Sequence, residues 1–461
     1  MPFIRSSRRA LSSLADAATA ALKSGEANAA KAAPGEMPGP SLIALQALTA
    51  AMPPKPVSIQ MLLASARDTS ARARLANANF LKNEMCSRRA HILKLLHLTP
   101  QPMTSQPAVR ELGGVYWERL RDMLQVPEVK TEEEEAAFQQ EMIALNDRII
   151  AQWGLEEQMS LDALSQMQEE AVGEGLQRLP LEARLAVDRH LDAIFLARIG
   201  LRFLLEHYVA TVDPNAGNGP GTQGAAAAAG GHSGSVAGII NTKCNPIAIC
   251  HELAEETRNR LTEEYGSAPD VEIRGDASHT FTFVPAHLRF VLGPLIKNSS
   301  VATLRHHHNK VKAGTLPEGA ELPPVRVICA VSDEAVQFKL VDEAGGIRRS
   351  SLTNVWSYRA LDSKWWKARD GLSLPLARLY CKYFGGSLDL VPMEGFGTDC
   401  YVSFNRLAHK NSEHIIPVDS NEEDPNRVGG GLLDAQARRG GGDATREESP
   451  AKIAGEWHSP S

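Results

Sequence analysis

Apolar residues along this chain recur with the spacing of helices in its first half, and with that of mixed strands and helices in its second half. Between about residues 57 and 209 they repeat every three to four positions, as at Leu191, Phe195 and Ile199. This spacing places apolar side chains on one face of a helix. Three or four long antiparallel helices of this kind predict an N-terminal bundle of the four-helix type.

The pattern changes after Ile239, where short alternating runs appear between helical ones. The runs VRVICAVSD and AVQFKLVD alternate apolar and polar residues, as half-buried antiparallel strands do. A helical stretch between the strands contains Pro294, which predicts an interruption and a kink just before Asn298. Helices and strands in this order predict an α/β sandwich with helices over a mixed sheet, so the fold class of the whole chain is α + α/β.

Composition marks where the chain divides. A Gly- and Ala-rich run follows the last helix of the first half and cannot bury a core, which predicts a flexible insertion at a domain junction or in a long loop beside one. The chain after Ser412 is polar and Gly-rich, which predicts a disordered tail. The predicted segments are 1–54 (transit peptide and disordered leader), 55–210 (helical bundle), 211–238 (disordered insertion), 239–410 (α/β domain) and 411–461 (disordered tail).

The first residues have the composition of a mitochondrial transit peptide. Arg5, Arg8 and Arg9 are interspersed with Ser and Ala, and no acidic residue occurs before Asp16. Apolar residues can share a helical face opposite the arginines, as in peptides of this class. A disordered basic tail would account for the charge but would need no apolar face. We therefore interpret this segment as a signal for mitochondrial import.

Length and charge narrow the classes of function. The chain has 461 residues, enough for two domains with cores, and its net charge of −6 does not indicate nucleic-acid binding. No apolar run reaches the length of a membrane span. The six cysteines are scattered without a C-x-x-C pair, so neither a disulfide framework nor a zinc site is expected.

Three polar residues of the second half have side chains suited to binding a nucleotide. Asn298 lies on a predicted helix, and its amide oxygen can coordinate Mg²⁺. Asp342 ends a predicted strand, where a carboxylate can accept a hydrogen bond from an exocyclic amine such as that of adenine. Thr398 can donate near the base or to the aspartate. Each feature alone is more often a surface residue or an ordinary turn, but their order in the chain favours one shared site.

Glycines accompany these polar residues. Gly345 and Gly346 follow the aspartate, and Gly371 precedes a predicted helix that begins at Leu374. Glycine allows backbone N–H groups to approach phosphate oxygens closely, and the N-terminus of a helix adds its dipole to such a site. The sequence therefore predicts a pocket in which the backbone surrounds a phosphate.

The run LPLARLYCKYFGGSLDLVPMEGFGTD resembles the C-terminal core of the mitochondrial 2-oxoacid dehydrogenase kinases, the pyruvate and branched-chain dehydrogenase kinase family. The resemblance spans about residues 57–408, and HLDAIFLARIGLRFLLEHYVA is similar to the last long helix of that family's bundle. The family belongs to the GHKL group of ATP-binding domains, which Hsp90, gyrase and histidine kinases share. The resemblance therefore implies a GHKL ATP-binding kinase domain at residues 239–410.

The resemblance also implies a protein-serine kinase of the mitochondrial matrix that uses ATP and Mg²⁺. It implies that the bundle docks the lipoyl domain of a 2-oxoacid dehydrogenase complex, that the target is a serine of the decarboxylase subunit, and that the protein is a homodimer. Carried over residue by residue, Asn298 is the Mg²⁺ ligand and Asp342 the adenine contact. The implied ATP-binding residues are Asn298, Asp342, Gly345, Gly346, Gly371, Leu374 and Thr398.

The sequence departs from the family pattern at the catalytic positions. The family's Glu, which acts as general base or orients the attacking hydroxyl, is Pro294 here, and the His four residues before it is Phe290. The family's Arg three residues after the Asn is Val301, and its first glycine after the Asp is Ala344. Loss of a general base typically lowers the rate about 10²- to 10⁴-fold.

Two hypotheses therefore remain. The first is an active kinase with another base, for which Arg305–His308 is a candidate, although a solvated helix end is the more ordinary interpretation of that run. The second is a nucleotide-binding pseudokinase or regulatory module that docks on a lipoyl domain or pairs with an active paralogue. Glu252 and Glu256, four residues apart, are interpreted as a solvated helix face.

Overall fold

The structure, a computed structural model, describes residues 16–28, 37–99, 103–151, 181–213, 235–358, 373–406 and 413. The first fifteen residues of the predicted transit peptide lie outside these ranges. Most of the 211–238 insertion and the 411–461 tail apart from Glu413 also lie outside them. The predictions for these segments stay predictions.

The first half of the chain is helical, as the spacing of its apolar residues predicts. Its helices are α1 (16–28), α2 (Leu42–Ala51), α3 (Ile59–Arg67), α4 (Ala71–His97), α5 (Pro107–Gln125), α6 (Glu132–Ala151) and α7 (Leu181–Val212). Helix α4 packs against α2, α5, α6 and α7, and α6 also packs against α7. The helical N-terminal region is therefore confirmed, whereas its description as a four-helix-type bundle stays a prediction.

Hydroxyl side chains begin four of these helices. Ser41, Ser58 and Ser70 accept hydrogen bonds from N–H groups in the first turns of α2, α3 and α4. At the start of α6, the Thr131 hydroxyl accepts from the Glu134 N–H and the Glu134 carboxylate accepts from the Thr131 N–H. Such caps satisfy N–H groups that have no partner inside the helix, and they set where each helix begins.

The predicted apolar stripe of α7 is confirmed, because Leu191, Phe195 and Ile199 are all buried. The structure differs from the expected disordered leader, because α1 and α2 both lie within residues 1–54. Helix α2 lies inside the 1–54 segment, and its Leu45 and Leu48 are fully buried where α2 packs against α4. Burying a leucine side chain contributes about 1.5–3 kcal/mol, so two leucines on one face can order a short helix in an Ala- and Pro-rich stretch.

The second half of the chain alternates strands and helices. Its elements are β1 (Val236–Ala237), β2 (Ile240–Cys244), α8 (Pro246–Tyr265), β3 (Val271–Arg274), β4 (Phe281–Phe283), α9 (Pro285–Lys312), β5 (Val325–Val331), β6 (Ala335–Asp342), α10 (Leu352–Val355), α11 (Ser373–Tyr383), β7 (Ser387–Met393) and β8 (Gly397–Asn405).

Five of these strands form one sheet in the order β3-β5-β6-β8-β7. Strands β3 and β5 are parallel and the other neighbours are antiparallel, so the predicted mixed sheet is confirmed. Helices α8, α9 and α11 pack against this sheet: α8 on β3 and β5, α9 on β5 and β6, and α11 on β7 and β8. A smaller antiparallel sheet of β1, β2 and β4 accompanies it.

Helix α9 runs without a break from Pro285 to Lys312, contrary to the predicted interruption at Pro294. A proline inside a helix removes one hydrogen bond and costs about 3 kcal/mol. Leu292, Leu295 and Ile296 are buried around the proline. Burial of such side chains contributes about 1.5–3 kcal/mol each, which offsets that cost and keeps the helix in place.

A buried carboxylate joins the helical half of the chain to α11. Glu413 is 6% exposed and accepts hydrogen bonds from Arg88 of α4 and from the Tyr383 hydroxyl of α11, the latter at 2.6 Å. Its backbone N–H donates to the Val57 carbonyl at 2.8 Å. Arg88 also donates to Glu84 at 3.1 Å. The arginine therefore has two carboxylate partners away from solvent.

This junction requires a glycine on α7. A Cβ atom at Gly200 would overlap Arg88 Nη1 and Glu413 Oε1, and it would lie 3.2 Å from the Tyr383 hydroxyl. Only a residue without a side chain leaves room for the three groups to meet. The packing of α7 and the ion pair are therefore parts of one arrangement.

We expect Glu413→Ala to lower the free energy of unfolding by about 3–5 kcal/mol, because it leaves Arg88 buried with one partner fewer. Chemical denaturation measures this change. The matched control is Arg258→Ala, which removes an exposed pair with Asp270 and should cost about 1 kcal/mol or less. Equal losses in the two variants would contradict the role assigned to Glu413.

Candidate functional site

Asp342 is the centre of the candidate site. It is the last residue of β6, and its Oδ1 accepts hydrogen bonds from the Ala344 N–H and the Thr398 N–H, both at 3.1 Å. The Ser299 side chain of α9 also hydrogen-bonds to it. The carboxylate therefore connects the turn after β6, the start of β8 and helix α9.

The environment of Asp342 acts on its proton affinity in two opposing directions. Burial raises the pKa of the carboxyl group above its ordinary value, while the hydrogen bonds from Ala344, Thr398 and Ser299 act to lower it. The side chain is 6% exposed. Two main-chain donors fix the position of Oδ1, so the direction of the carboxylate is set by the backbone.

A glycine turn lies beside this carboxylate. Gly345 and Gly346 have φ values of +81° and +72°, a region that side chains disfavour. The Gly345 N–H donates to the Phe396 carbonyl at 3.0 Å, and the Gly395 N–H donates to the Gly345 carbonyl at 2.8 Å. A Cβ at Gly346 would overlap the Met393 carbonyl. The turn after β6 is thus hydrogen-bonded to the turn between β7 and β8.

Two predicted residues, Asp342 and Thr398, face each other across the sheet. They are directly paired in the register of β6 and β8 and are joined by the hydrogen bond described above. Gly397 precedes Thr398, and a Cβ there would overlap the Asp342 carbonyl. The predicted proximity of Asp342, the glycine turn and Thr398 is therefore present in the structure.

Asn298 lies on α9 immediately before Ser299, the residue that hydrogen-bonds to Asp342. Its side chain is half-buried. Helix α9 packs against β6, and Ser299 of this helix hydrogen-bonds to Asp342. Asn298 is therefore one residue away from a direct contact with Asp342. An amide oxygen at this position has the chemistry of a Mg²⁺ ligand that shares the ion with phosphate oxygens.

The remaining two residues, Leu374 and Gly371, are those predicted for the phosphate side of the site. Leu374 is the second residue of α11, is half-buried and packs against the hydrophobic core. Gly371 lies outside the described residues. The assignment of these two residues to phosphate binding therefore stays a prediction.

Sequence reasoning missed Ser299 and Gly397. Ser299 follows Asn298 directly, but its contact with Asp342 depends on how α9 is rotated against β6, which the sequence alone does not give. The close approach that requires Gly397 depends on the pairing of β6 with β8. Two features of the sequence could have indicated them: Ser299 is a small polar residue directly after Asn298, and Gly397 is the second glycine of the run before Thr398.

Two aromatic rings are stacked one turn before Pro294, the position at which the family pattern predicts a catalytic carboxylate. Phe290, one turn before Pro294 on α9, stacks on Tyr380 of α11 with ring centroids 3.9 Å apart. The side chains of Glu252 and Glu256 are 41% and 52% exposed, as the predicted solvated face requires, and both also pair with Arg289 of α9. These two carboxylates are therefore engaged by a cation one residue before the stacked phenylalanine.

The described residues also bear on metal binding and on membrane insertion. Among them, no group of three or more His, Cys, Asp or Glu residues is arranged to hold a metal ion. A Mg²⁺ ion that is bound mainly by phosphate and water oxygens needs only one or two protein ligands, so Asn298 fits such an ion without a cluster. Within the same part of the chain, no helix combines the length and apolar character needed to cross a bilayer.

Comparison with known proteins identifies relatives of this chain. A family model described as mitochondrial branched-chain alpha-ketoacid dehydrogenase kinase matches residues 56–241. The mitochondrial pyruvate dehydrogenase (acetyl-transferring) kinase of Arabidopsis thaliana is 30% identical over 379 residues, covering 78% of this chain and 92% of that protein. The Schizosaccharomyces pombe kinase of the same name is 34% identical over 236 residues, covering 47% and 50%. Isozyme 1 from Homo sapiens is 24% identical over 365 residues, covering 73% and 74%.

In this chain a helical region precedes a domain with a mixed sheet. A buried carboxylate at the end of one strand of that sheet lies beside a glycine turn. The chain belongs to the mitochondrial pyruvate dehydrogenase kinase family, as a divergent member. The resemblance drawn from the sequence motifs is thereby confirmed.

We expect Gly397→Ala to disrupt the hydrogen bonds that Asp342 accepts from Ala344 and Thr398, because the new Cβ would overlap the Asp342 carbonyl. Hydrogen exchange at the amides of Ala344 and Thr398 should become faster, and overpacking of this kind costs about 1–3 kcal/mol of stability. Gly395→Ala is the matched control in the same turn. That position has φ +86° but open space, so it should be strained without speeding exchange at Thr398. Unchanged exchange in Gly397→Ala would contradict the steric argument.

Proposed function

We propose that this protein is an ATP-dependent protein-serine/threonine kinase of the mitochondrial matrix. Its substrate would be a serine of the decarboxylase subunit of a 2-oxoacid dehydrogenase complex, whose activity it would regulate. The observation that supports this most directly is the buried Asp342 carboxylate, held by the turn after β6 and by Thr398, in a chain of this kinase family.

In this proposal, Asp342 accepts a hydrogen bond from the exocyclic amine of adenine. Gly345 and Gly346 shape the wall beside the base, because no side chain projects from either. Thr398 lines the same wall. Asn298 would hold Mg²⁺, which when bound neutralises phosphate charge. Gly371 and Leu374 would complete the phosphate side of the ATP site.

Phosphoryl transfer would form a bond between the serine oxygen and the γ-phosphorus and break the bond to the β–γ bridging oxygen. The proton of the serine hydroxyl must leave during this step. Pro294 has no group to accept it, so this chain would rely on positioning and charge stabilisation, or on a different base. Transfer at a reduced rate is the consequence we expect.

The partners are proposed by the same reasoning. The relatives are named as mitochondrial pyruvate dehydrogenase kinases, which supports action on a 2-oxoacid dehydrogenase complex. From the motif resemblance we propose that the helical region docks on a lipoyl domain of that complex. The open face of the sheet supports a homodimer, because Ile328, Tyr401 and Val391 project from it and are exposed. Exposed apolar residues on a sheet face commonly mark an interaction surface.

A second candidate function is a pseudokinase or regulatory module that binds nucleotide without transferring phosphate. Pro294 favours it, because the family pattern has a catalytic carboxylate there and proline has none. Phe290, which stacks on Tyr380, stands where the family pattern has a His. This candidate requires the same ATP and Mg²⁺ site. The two functions therefore differ only in the outcome of the transfer step.

The first test uses the full chain with ATP, with and without Mg²⁺, and measures binding and then phosphate incorporation into a decarboxylase subunit. Asp342→Asn should weaken ATP binding about ten- to a hundred-fold, because it keeps an acceptor for the two backbone amides but offers an NH2 group where adenine needs an acceptor. Asp333→Asn, fully exposed at the other end of β6, is the control and should bind as the wild type does.

Binding of ATP by the wild type with transfer that Asn298→Ala abolishes would support the kinase. Binding without any transfer would favour the regulatory module. Failure of the wild type to bind ATP at millimolar concentration would contradict both functions. If Asp342→Asn binds as tightly as the wild type, the adenine contact is wrongly assigned.

Pro294→Glu tests the missing base separately. Restoring a carboxylate should raise the transfer rate about 10²-fold or more if the base is the limiting feature. Pro294→Gln is the matched control, because it removes the proline from the helix but adds no charge. An equal gain in both variants would assign the effect to helix geometry instead of to the carboxylate.

A further inference from the structure

His306 of α9 lies directly against the glycine turn of the candidate site. A Cβ built on Gly345 would be 2.6 Å from His306 Cε1 and 2.8 Å from its Nδ1, so the ring can occupy this place only because the turn has no side chain there. His306 follows Asn298 by eight residues, which places the two on neighbouring parts of one helix surface. The ring therefore belongs to the wall that contains Asp342.

The imidazole has an unsatisfied hydrogen-bonding atom. Its Nε2 is shielded from solvent and has no hydrogen-bond partner among the described residues. A shielded polar atom without a partner costs free energy, and native sites that contain one commonly bind a ligand or a water there. In this wall the polar molecule that we expect is the nucleotide.

Burial and most of the neighbouring charges favour the neutral form of His306. Partial burial lowers the pKa of the ring below its ordinary value, and Lys310 and His307 on the same helix act in the same direction. Asp342 on β6 opposes them. A neutral imidazole has one donor and one acceptor nitrogen, so it can pair with either kind of group on a purine or ribose.

We propose that His306 is a nucleotide-contacting residue, and that it hydrogen-bonds to the adenosine end of the bound nucleotide rather than to the phosphates. The position on the Gly345 turn decides between the two ends, because this turn follows the residue proposed to contact adenine. This inference rests on the proposed nucleotide site and adds to it a residue that the family motif does not supply.

The test measures dissociation constants of the full chain for ATP and ADP by calorimetry, with and without Mg²⁺. His306→Phe keeps a flat ring against Gly345 but has no nitrogen, and it should bind ATP about three- to ten-fold more weakly. The loss should be the same for ADP and should persist without Mg²⁺, because the adenosine end is common to all four conditions. His306→Asn, which can still hydrogen-bond, should recover part of the affinity.

The control is Asn309→Ala, which changes an exposed residue of the same helix outside the Arg305–His308 run and should bind as the wild type does. Equal affinity of His306→Phe and wild type would overturn the inference and assign His306 to packing alone. A loss confined to ATP with Mg²⁺ would also overturn it, because the contact would then be with phosphate. If the wild type binds neither nucleotide, the proposed site itself is wrong, and this result is distinct from the other two.

Discussion

The buried carboxylate of Asp342 is the point on which the candidate site depends. A buried acid is stable only when its hydrogen bonds are satisfied, and here the backbone of Ala344, the backbone of Thr398 and the side chain of Ser299 satisfy them. Each donor belongs to a different part of the chain. The same interactions therefore hold the turn after β6 against β8 and α9, and they fix the direction of the carboxylate.

Helix α9 determines which other side chains lie near Asp342 and the glycine turn. One uninterrupted helix presents Ser299 to Asp342 and His306 to Gly345, with Asn298 beside the former. The same helix contains Pro294 at the family's catalytic position. A proline in the helix interior destabilises the helix. Because the helix is nevertheless continuous, packing of the surrounding leucines and isoleucine outweighs the lost hydrogen bond. In the proposed function, nucleotide binding and catalysis are therefore separated on one element, because Asn298 would hold Mg²⁺ whereas Pro294 offers no base.

The helical half of the chain is joined to this domain through polar groups as well as apolar ones. Glu413 contacts Arg88 on one side and Tyr383 on the other, and Tyr383 is the last residue of α11. Tyr358 donates to Asp192 of α7 at 2.6 Å in the same interface. Buried pairs of this kind contribute little net stability compared with apolar packing, but they strongly disfavour arrangements that separate the partners. The orientation of α11 is thus linked to the helices of the first half.

The sequence by itself determined the element types, the mixed sheet and the family. The element types follow from the local periodicity of apolar residues. The family follows from a motif in which Asp342, Gly345 and Thr398 occur in a fixed order along the chain. Tertiary structure alone decided that α9 stays continuous through Pro294, that the last part of the leader folds as α2, and that His306 meets the glycine turn. These outcomes depend on which side chains are buried and on how the helix is rotated against the sheet. Both are set by contacts between segments that are distant in the chain, and such contacts produce no regular spacing of residues that could be recognised in the sequence.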